Sequence, residues 1–242
     1  VVAEKLMHSG NNIPVIINSV TKSDFKTAVA GIKIAEKAGK RFLFRTGASF
    51  VSEYTGVTEK PLFVPERPVR SCLIIAGSFV NRTTQQLLNL EKNIPVSNIR
   101  IESKLIVSRR EKYLSQIIQR IEDDLLVNKK VLVSTEREYM GEGSISARID
   151  FGKKLSVFIC EMVAGIHIQP ELIIAKGGIT SHDVLKSGLG VQKSKVLGQV
   201  YPGVPILKLD ESGKFPGSFY VIFPGNVGNE STLTEIVQKF SK

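Results

Sequence analysis

The sequence contains no tryptophan, and among its 242 residues there are only two cysteines and three histidines. Cys72 and Cys160 lie in separate apolar runs, and no pattern of Cys and His has the spacing of a metal site. We therefore expect no metal ligand set. We interpret the two thiols as small core residues in a reducing compartment, which predicts a cytoplasmic location.

Long apolar runs are also missing. The longest, Leu155–Ile168, is interrupted by Glu161, so no segment reaches the roughly 18 uncharged residues of a membrane-spanning helix. Val1–Lys5 is not a basic region followed by an apolar run, and there is no initiator methionine. We expect no signal peptide and no membrane partner, and we expect the chain to begin within a longer protein.

The charge balance is basic, with a net charge of +10 and an isoelectric point of about 9.6. Such an excess is typical of proteins that bind nucleic acid, a membrane surface or a small anion. The basic residues are spread along the chain in short clusters, and no aromatic residues alternate with them to stack bases. We favour a small anion and expect no nucleic acid. The alternative is a non-catalytic basic module for nucleic acid or another anionic partner.

Strand-like apolar runs alternate with helix-like amphipathic stretches. This pattern predicts an α/β fold with a mainly parallel sheet covered by helices on both faces, preceded by a partial second α/β domain. Three prolines fall within the eight residues from Pro61 to Pro68, where neither a helix nor a central strand can continue. The predicted divisions are a partial α/β domain at 1–60, a Pro-rich linker at 61–70 and the main α/β domain at 71–242.

In the first part, the predicted strands are Pro14–Asn18 and Arg41–Phe44, and the predicted helices are Thr21–Ala38 and Ala48–Tyr54. Thr21 and Asp24 have the spacing of a capping box. In the second part, the predicted strands are Ser71–Ala76, Asn98–Glu102, Val131–Ser134, Leu172–Ala175, Lys195–Val200 and Phe219–Phe223. The predicted helices there are Thr83–Leu90, Arg109–Val127, Ser144–Ile166, Thr180–Ser187 and Ser231–Phe240.

Three of the predicted strands are followed by glycine, small polar residues and a helix. We name these segments the first glycine loop (Ala76–Thr84), the second (Ala175–Ser181) and the third (Pro224–Ser231). Ligands bind beyond the carboxyl ends of strands in open α/β sheets, and glycine lets the backbone approach a phosphate. If the loops meet at one edge, a phosphate-bearing ligand is favoured. Lys176 would add charge, and hydroxyl donors would come from Ser78, Thr83, Thr180 and Ser181.

Each loop also has a simpler interpretation. A glycine after a strand commonly serves only the turn, and Thr180 with Asp183 has capping-box spacing. We expect His182, in the first turn of the same helix, to face solvent. The sequence has no P-loop pattern, and Gly141–Gly143 lacks the third glycine of a dinucleotide fingerprint. A nicotinamide oxidoreductase is therefore disfavoured.

Several runs together resemble one known family. AKGGITSHDVLKSGLGV from Ala175, KVLGQVYPGVPILKL from Lys195 and FPGSFYVIFPGNVG from Phe215 are similar, in this order, to the C-terminal domain of the four-carbon acid sugar kinases. LIIAGSFVNRTTQQL and VLVSTERE extend the likeness upstream. That family was long catalogued as a domain of unknown function, and some members are labelled type III effector-like. VIINSVTKSDFKTAV and GKRFLFRTGASFV resemble the end of its N-terminal domain.

The resemblance implies that 71–242 is the nucleotide-binding domain of an ATP-dependent kinase and that 1–60 is a remnant of its N-terminal substrate-binding domain. Such a kinase would use Mg²⁺ and phosphorylate threonate, erythronate or 3-oxo-tetronate. ATP and the acid sugar are the implied partners, and the sequence leaves a homo-oligomer open. The nucleotide contacts carried over to this sequence are Ser78, Lys176, Gly177, Gly178, Ile179, Thr180, Gly225, Asn226 and Gly228. Many members have an acidic residue in place of Ile179, so no metal ligand is assigned here. The catalytic residues stay unassigned, and we expect this chain alone to be inactive.

Overall fold

The computed structural model describes residues 1–10, 12–58, 60–77, 80–136 and 145–242. They form two compact units, Val1–Pro61 and Leu62–Lys242. The helices of the first unit are α1 (Val2–His8), α2 (Lys22–Lys37) and α3 (Ala48–Thr55). Its small core consists of Leu6, Val29, Ile32, Ala35 and Phe50. The predicted capping box is confirmed, because Thr21 and Asp24 each accept a hydrogen bond from the other's backbone N–H.

The two strands predicted in the first unit, Pro14–Asn18 and Arg41–Phe44, do not form. Both segments lie outside helices and strands, and no residue described between 1 and 61 belongs to a strand. Their apolar side chains stay exposed, with 86% of Ile16 and 101% of Leu43 accessible to solvent. β-Branched residues favour strands only where a neighbouring strand can pair with them. The prediction is wrong because neither run finds such a neighbour among the described residues of this unit.

In the described part of the second unit, a seven-stranded sheet has the order β2-β3-β1-β4-β7-β6-β5. The strands are β1 (Cys72–Ala76), β2 (Ser97–Ile101), β3 (Lys130–Thr135), β4 (Leu172–Lys176), β5 (Ser194–Tyr201), β6 (Val204–Leu209) and β7 (Phe219–Phe223). β2, β3, β1, β4 and β7 are parallel, whereas β6 is antiparallel to both β7 and β5. The predicted, mainly parallel α/β sheet is confirmed.

Helices cover both faces of this sheet, as predicted. They are α4 (Asn81–Asn93), α5 (Ser103–Ser108), α6 (Arg110–Leu126), α7 (Ile145–Gly165), α8 (Gly178–Asp183) and α9 (Thr232–Lys239). A single π-helical turn, Val184–Gly188, continues α8. Side chains alternate along a strand, so Leu73 and Ile75 pack with α5, α6 and α7 on one face, while Ile74 packs with α4 and α9 on the other. Ser144, the first residue of one predicted helix, lies outside the described residues.

Strand β6 is absent from the sequence prediction. Pro205 weakens its strand pattern, because proline cannot donate a hydrogen bond to a ladder. In the structure, Pro205 lies opposite Gln199, beside an irregularity in the β5–β6 register. β6 is antiparallel to both of its neighbours and lies between β7 and the edge strand β5.

Ile74→Ala should lower the free energy of unfolding by about 2–5 kcal/mol, because it removes apolar contacts and leaves a cavity. Ile74 is fully buried on the central strand β1. Val196→Ala is the matched control on edge strand β5, where Val196 is 66% exposed, and it should cost about 1 kcal/mol or less. Urea denaturation followed by circular dichroism measures both. An equal loss of unfolding free energy in the two variants would contradict the central position of β1.

Candidate functional site

The three glycine loops lie at one edge of the sheet. They follow β1, β4 and β7, which are adjacent and parallel. The pairing register aligns Ala76 with Lys176 and Lys176 with Phe223, so the three strands end at the same level. The three loops therefore meet at one edge, which is the arrangement that favours a phosphate-bearing ligand.

The first loop approaches the second at Gly77. A Cβ atom at Gly77 would lie 2.6 Å from Thr180 Oγ1, which would have to shift, and 3.3 Å from Ile159 Cδ1, which is a tight contact. Glycine thus lets the two loops approach each other closely at this position. Ser78, the predicted contact in the first loop, lies outside the described residues.

The second loop is anchored at one glycine and open at the next. Gly177 has a φ of 115°, in the region that favours glycine, and its N–H donates to the Phe223 carbonyl oxygen at 2.8 Å. Gly178 and Ile179 are exposed, and nothing lies within 4 Å of a Cβ atom built at Gly178. Gly178 also begins α8, where the first backbone N–H groups have no partner within the helix. An anion can therefore approach the backbone at Gly178.

Lys176 directs its ammonium group into the protein, although it ends strand β4 at the loop edge. Its side chain is fully buried, and Nζ donates to the Pro224 carbonyl oxygen at 2.7 Å and to that of Gly225 at 3.4 Å. Nζ also lies 3.9 Å from the centre of the Phe223 ring. Burial, and secondarily the charge of Arg82, lowers the pKa of Lys176 to about 8. The ammonium group of Lys176 therefore interacts directly with the third loop.

Helix α4 holds the far end of the third loop. The side-chain amide of Gln86 donates to the carbonyl oxygens of Val227 at 3.1 Å and Asn229 at 2.7 Å. The Arg82 guanidinium donates to the carbonyl oxygen of Gly228. Gln86 is fully buried, whereas Arg82 is exposed. Neither residue was among the predicted site residues.

The hydroxyl groups predicted near the site differ in availability. Ser181 Oγ is buried and donates to the carbonyl oxygens of Ala175 and Gly177, each at 2.7 Å. Thr83 is fully buried, and its Oγ1 has no hydrogen-bond partner within the described ranges of the chain. Thr180 is half-buried beside Gly77. Among these described hydroxyls, that of Thr180 is the most accessible to a ligand.

The capping-box interpretation of the second loop is wrong. The cap of α8 is Gly177, and Thr180 lies inside the helix, so its side chain does not cap the first turn. Asp183 instead accepts a hydrogen bond from the Ser156 hydroxyl on α7. His182 is exposed, as expected for a solvent-facing residue.

Two open depressions flank α8. One, of about 400 Å³, lies against α7 and includes Ser156 and Asp183, and the other, of about 680 Å³, includes His182 and Lys186. Neither of these two is lined by a described residue of the glycine loops. Over residues 1–10, 12–58, 60–77, 80–136 and 145–242, no group of three or more His, Cys, Asp and Glu side chains is arranged to hold a metal ion. None of the helices searched in these ranges is long and apolar enough to cross a membrane.

Residues 73–233 match a family model described as a nucleotide-binding C-terminal domain. The match covers most of the second unit and all three glycine loops. It confirms the resemblance of this region to the nucleotide-binding domain of the family recognised in the sequence. No curated protein sequence matches the chain.

Solved structures with a similar fold include three bacterial proteins. A Salmonella typhimurium LT2 protein, provisionally named a tRNA synthase, has a TM-score of 0.64 at 16% identity over 93% of this chain and 52% of its own. A Haemophilus influenzae protein of the DUF1537 family has a TM-score of 0.61 at 16% identity, over 93% of this chain and 53% of its own. A Bordetella bronchiseptica DUF1537 domain, a domain-swapped dimer with bound citrate, has a TM-score of 0.56 at 12% identity, over 92% and 52%. This chain thus spans about half the length of the structures that it matches.

Gly77→Ala should lower the free energy of unfolding by about 1–3 kcal/mol, because the added Cβ forces Thr180 to move. Gly178→Ala is the matched control in open space and should stay within about 0.5 kcal/mol of the wild type. Urea denaturation measures both. In a Thr180→Ala background the cost of Gly77→Ala should fall, and an unchanged cost would contradict the contact between the two loops.

Lys176→Met should change how stability depends on pH. The folded pKa of about 8 lies below the ordinary value of 10.5, so between these pH values the unfolded chain binds more protons than the folded chain. Wild-type stability, relative to the variant, should therefore rise as pH increases through this window. Urea denaturation of both proteins from pH ~7 to ~10.5 measures the difference. The same pH dependence of the unfolding free energy in both proteins would contradict a lowered pKa of Lys176.

Proposed function

This chain belongs to the family of nucleotide-binding C-terminal domains, and we propose that it is the ATP-binding part of a kinase for a four-carbon acid sugar. The observation that carries the proposal is the convergence of three glycine loops at the carboxyl ends of three adjacent parallel strands. The family match supports a nucleotide as the ligand. The likeness of the loop sequences to the four-carbon acid sugar kinases supports threonate, erythronate or 3-oxo-tetronate as the acceptor.

The arrangement suits phosphoryl transfer, which depends mainly on positioning and on neutralising phosphate charge. Backbone N–H groups at the loops supply hydrogen-bond donors, and Lys176 and Arg82 make this edge electropositive. The proposed contact residues are Ser78, Gly177, Gly178, Ile179, Thr180, Gly225, Asn226 and Gly228, whereas Lys176 of the sequence-based set is proposed to act indirectly. Because the Lys176 ammonium is buried, its proposed contribution is through its charge and its hold on the third loop.

The loops themselves do not fit a metal ion held by protein ligands. The first and second loops contain no carboxylate, and the third contains only Glu230, which is exposed. Mg²⁺ commonly reaches kinase sites with the nucleotide phosphates and keeps several waters. We therefore propose that this chain binds the nucleotide, and that Mg²⁺ would be held chiefly by the phosphates.

We place the acid-sugar site and the catalytic base in the N-terminal domain of a longer protein. The described loop residues include no histidine, and their one carboxylate, Glu230, is exposed. The proposed location is cytoplasmic, in keeping with two buried free cysteines. With an acid sugar and ATP, this chain alone should release no ADP, and activity should require the N-terminal domain.

Gly178→Val should weaken ATP and ADP binding about tenfold or more, because the branched side chain would stand where a phosphate approaches the backbone. The wild type should bind both nucleotides saturably in a calorimetric titration. Gly152→Val on α7 is the matched control, since a Cβ atom there also meets nothing within 4 Å, and it should bind like the wild type.

A folded wild-type chain that binds neither nucleotide would overturn the proposed site. Tight binding of RNA that falls steeply with salt, without nucleotide binding, would favour the basic-module alternative. Displacement of ATP by NAD at similar concentrations would instead favour the oxidoreductase class.

A further inference from the structure

The third glycine loop has most of its carbonyl groups engaged by the rest of the unit. Lys176 holds those of Pro224 and Gly225, and α4 holds those of Val227, Gly228 and Asn229. The donors lie on β4 and α4, whereas the third loop connects β7 to α9. Such contacts fix the orientation of the peptide planes as well as the position of the loop.

Each held carbonyl also determines where the next N–H group points. The peptide bonds are trans, and in a trans peptide the C=O of one residue and the N–H of the next point in opposite directions. The N–H groups of Gly225 and Asn226 therefore point away from Lys176. The N–H of Gly228 likewise points away from Gln86.

These three N–H groups are available to a ligand. Within the part of the chain that the structure describes, none of them donates a hydrogen bond to the protein, whereas the N–H of Asn229 donates to Thr232 Oγ1 at 2.9 Å. Gly225 and Gly228 are half-buried and Asn226 is exposed. Of the three, Gly225 and Asn226 are successive and both of their N–H groups point away from Lys176, and successive N–H groups that face one direction form a site for phosphate oxygens.

We propose that Lys176, Gln86 and Arg82 are positioning residues, which hold the carbonyl groups of the third loop and so present its N–H groups to the nucleotide phosphates. This inference rests on the proposed function, because it concerns the same ligand. It gives Lys176 and Gln86, whose polar side chains are both fully buried, a role without direct contact to the nucleotide.

A further consequence is a dependence on pH. The positive charge of Arg82 on α4 acts on Lys176 and disfavours its protonated form. No described carboxylate forms an ion pair with Lys176. Lys176 therefore loses its proton above pH about 8, which weakens its hold on Pro224 and Gly225. Affinity for ADP should fall above this pH.

Lys176→Met and Gln86→Leu test the inference, with Lys208→Met and Gln85→Leu as exposed controls on β6 and α4. Titrations with ADP, tripolyphosphate and adenosine separate the phosphate part of binding from the nucleoside part. The two test variants should weaken ADP and tripolyphosphate about tenfold and leave adenosine unchanged, since each removes hydrogen bonds that orient phosphate donors. Lys176→Met should also abolish the fall in ADP affinity at high pH.

The amide resonances of Gly225 and Gly228 provide a second measurement that does not depend on nucleotide binding. Tripolyphosphate should shift both in the wild type and in the two controls, but less in the two test variants. Unchanged phosphate affinity and unchanged glycine shifts in folded test variants would overturn the inference, as would an equal loss for ADP and adenosine. Absence of ADP binding to the wild type would refute the proposed function, and the glycine shifts alone would then decide the positioning role.

Discussion

The in-register parallel pairing of β1, β4 and β7 is the constraint on which the site depends. Strands buried on both faces are apolar throughout, so alternation of polar and apolar residues does little to specify their register. In β4 the exception is Lys176, whose ammonium finds carbonyl partners at the end of the strand. A slip of one residue would turn this side chain to the opposite face and leave a buried charge unpaired. We infer that Lys176 helps to fix the register of β4.

The buried ammonium illustrates a balance between stability and function. Burial disfavours the charged form, which lowers the pKa of Lys176, while two carbonyl groups and the Phe223 ring stabilise it. An apolar residue would avoid the desolvation cost but would leave the Pro224 and Gly225 carbonyl groups without these donors. Lysine therefore suits this position because it orients the third loop, although an apolar residue would be buried at a lower desolvation cost.

Local patterns made much of this fold predictable, and long-range pairing limited the rest. Apolar runs followed by helices located β1, β4 and β7, and glycine after each strand located the loops. The hold of α4 on the third loop could not be predicted, because Gln86 and Val227 are 141 residues apart and polar residues on a helix usually face solvent. The runs 14–18 and 41–44 failed as strand predictions for a related reason, since strand formation depends on a partner that propensity does not reveal.

The three loops support one another in a closed set of contacts. Gly77 in the first loop lies against Thr180 in the second, and Lys176 in the second holds the beginning of the third. Helix α4, which begins within the first loop, holds the end of the third. Each loop thus takes part in direct contacts that involve the other two. Substitutions in different loops should not be additive, because residues that share partners are energetically coupled. The geometry that one loop presents to a phosphate would thus depend on all three loops.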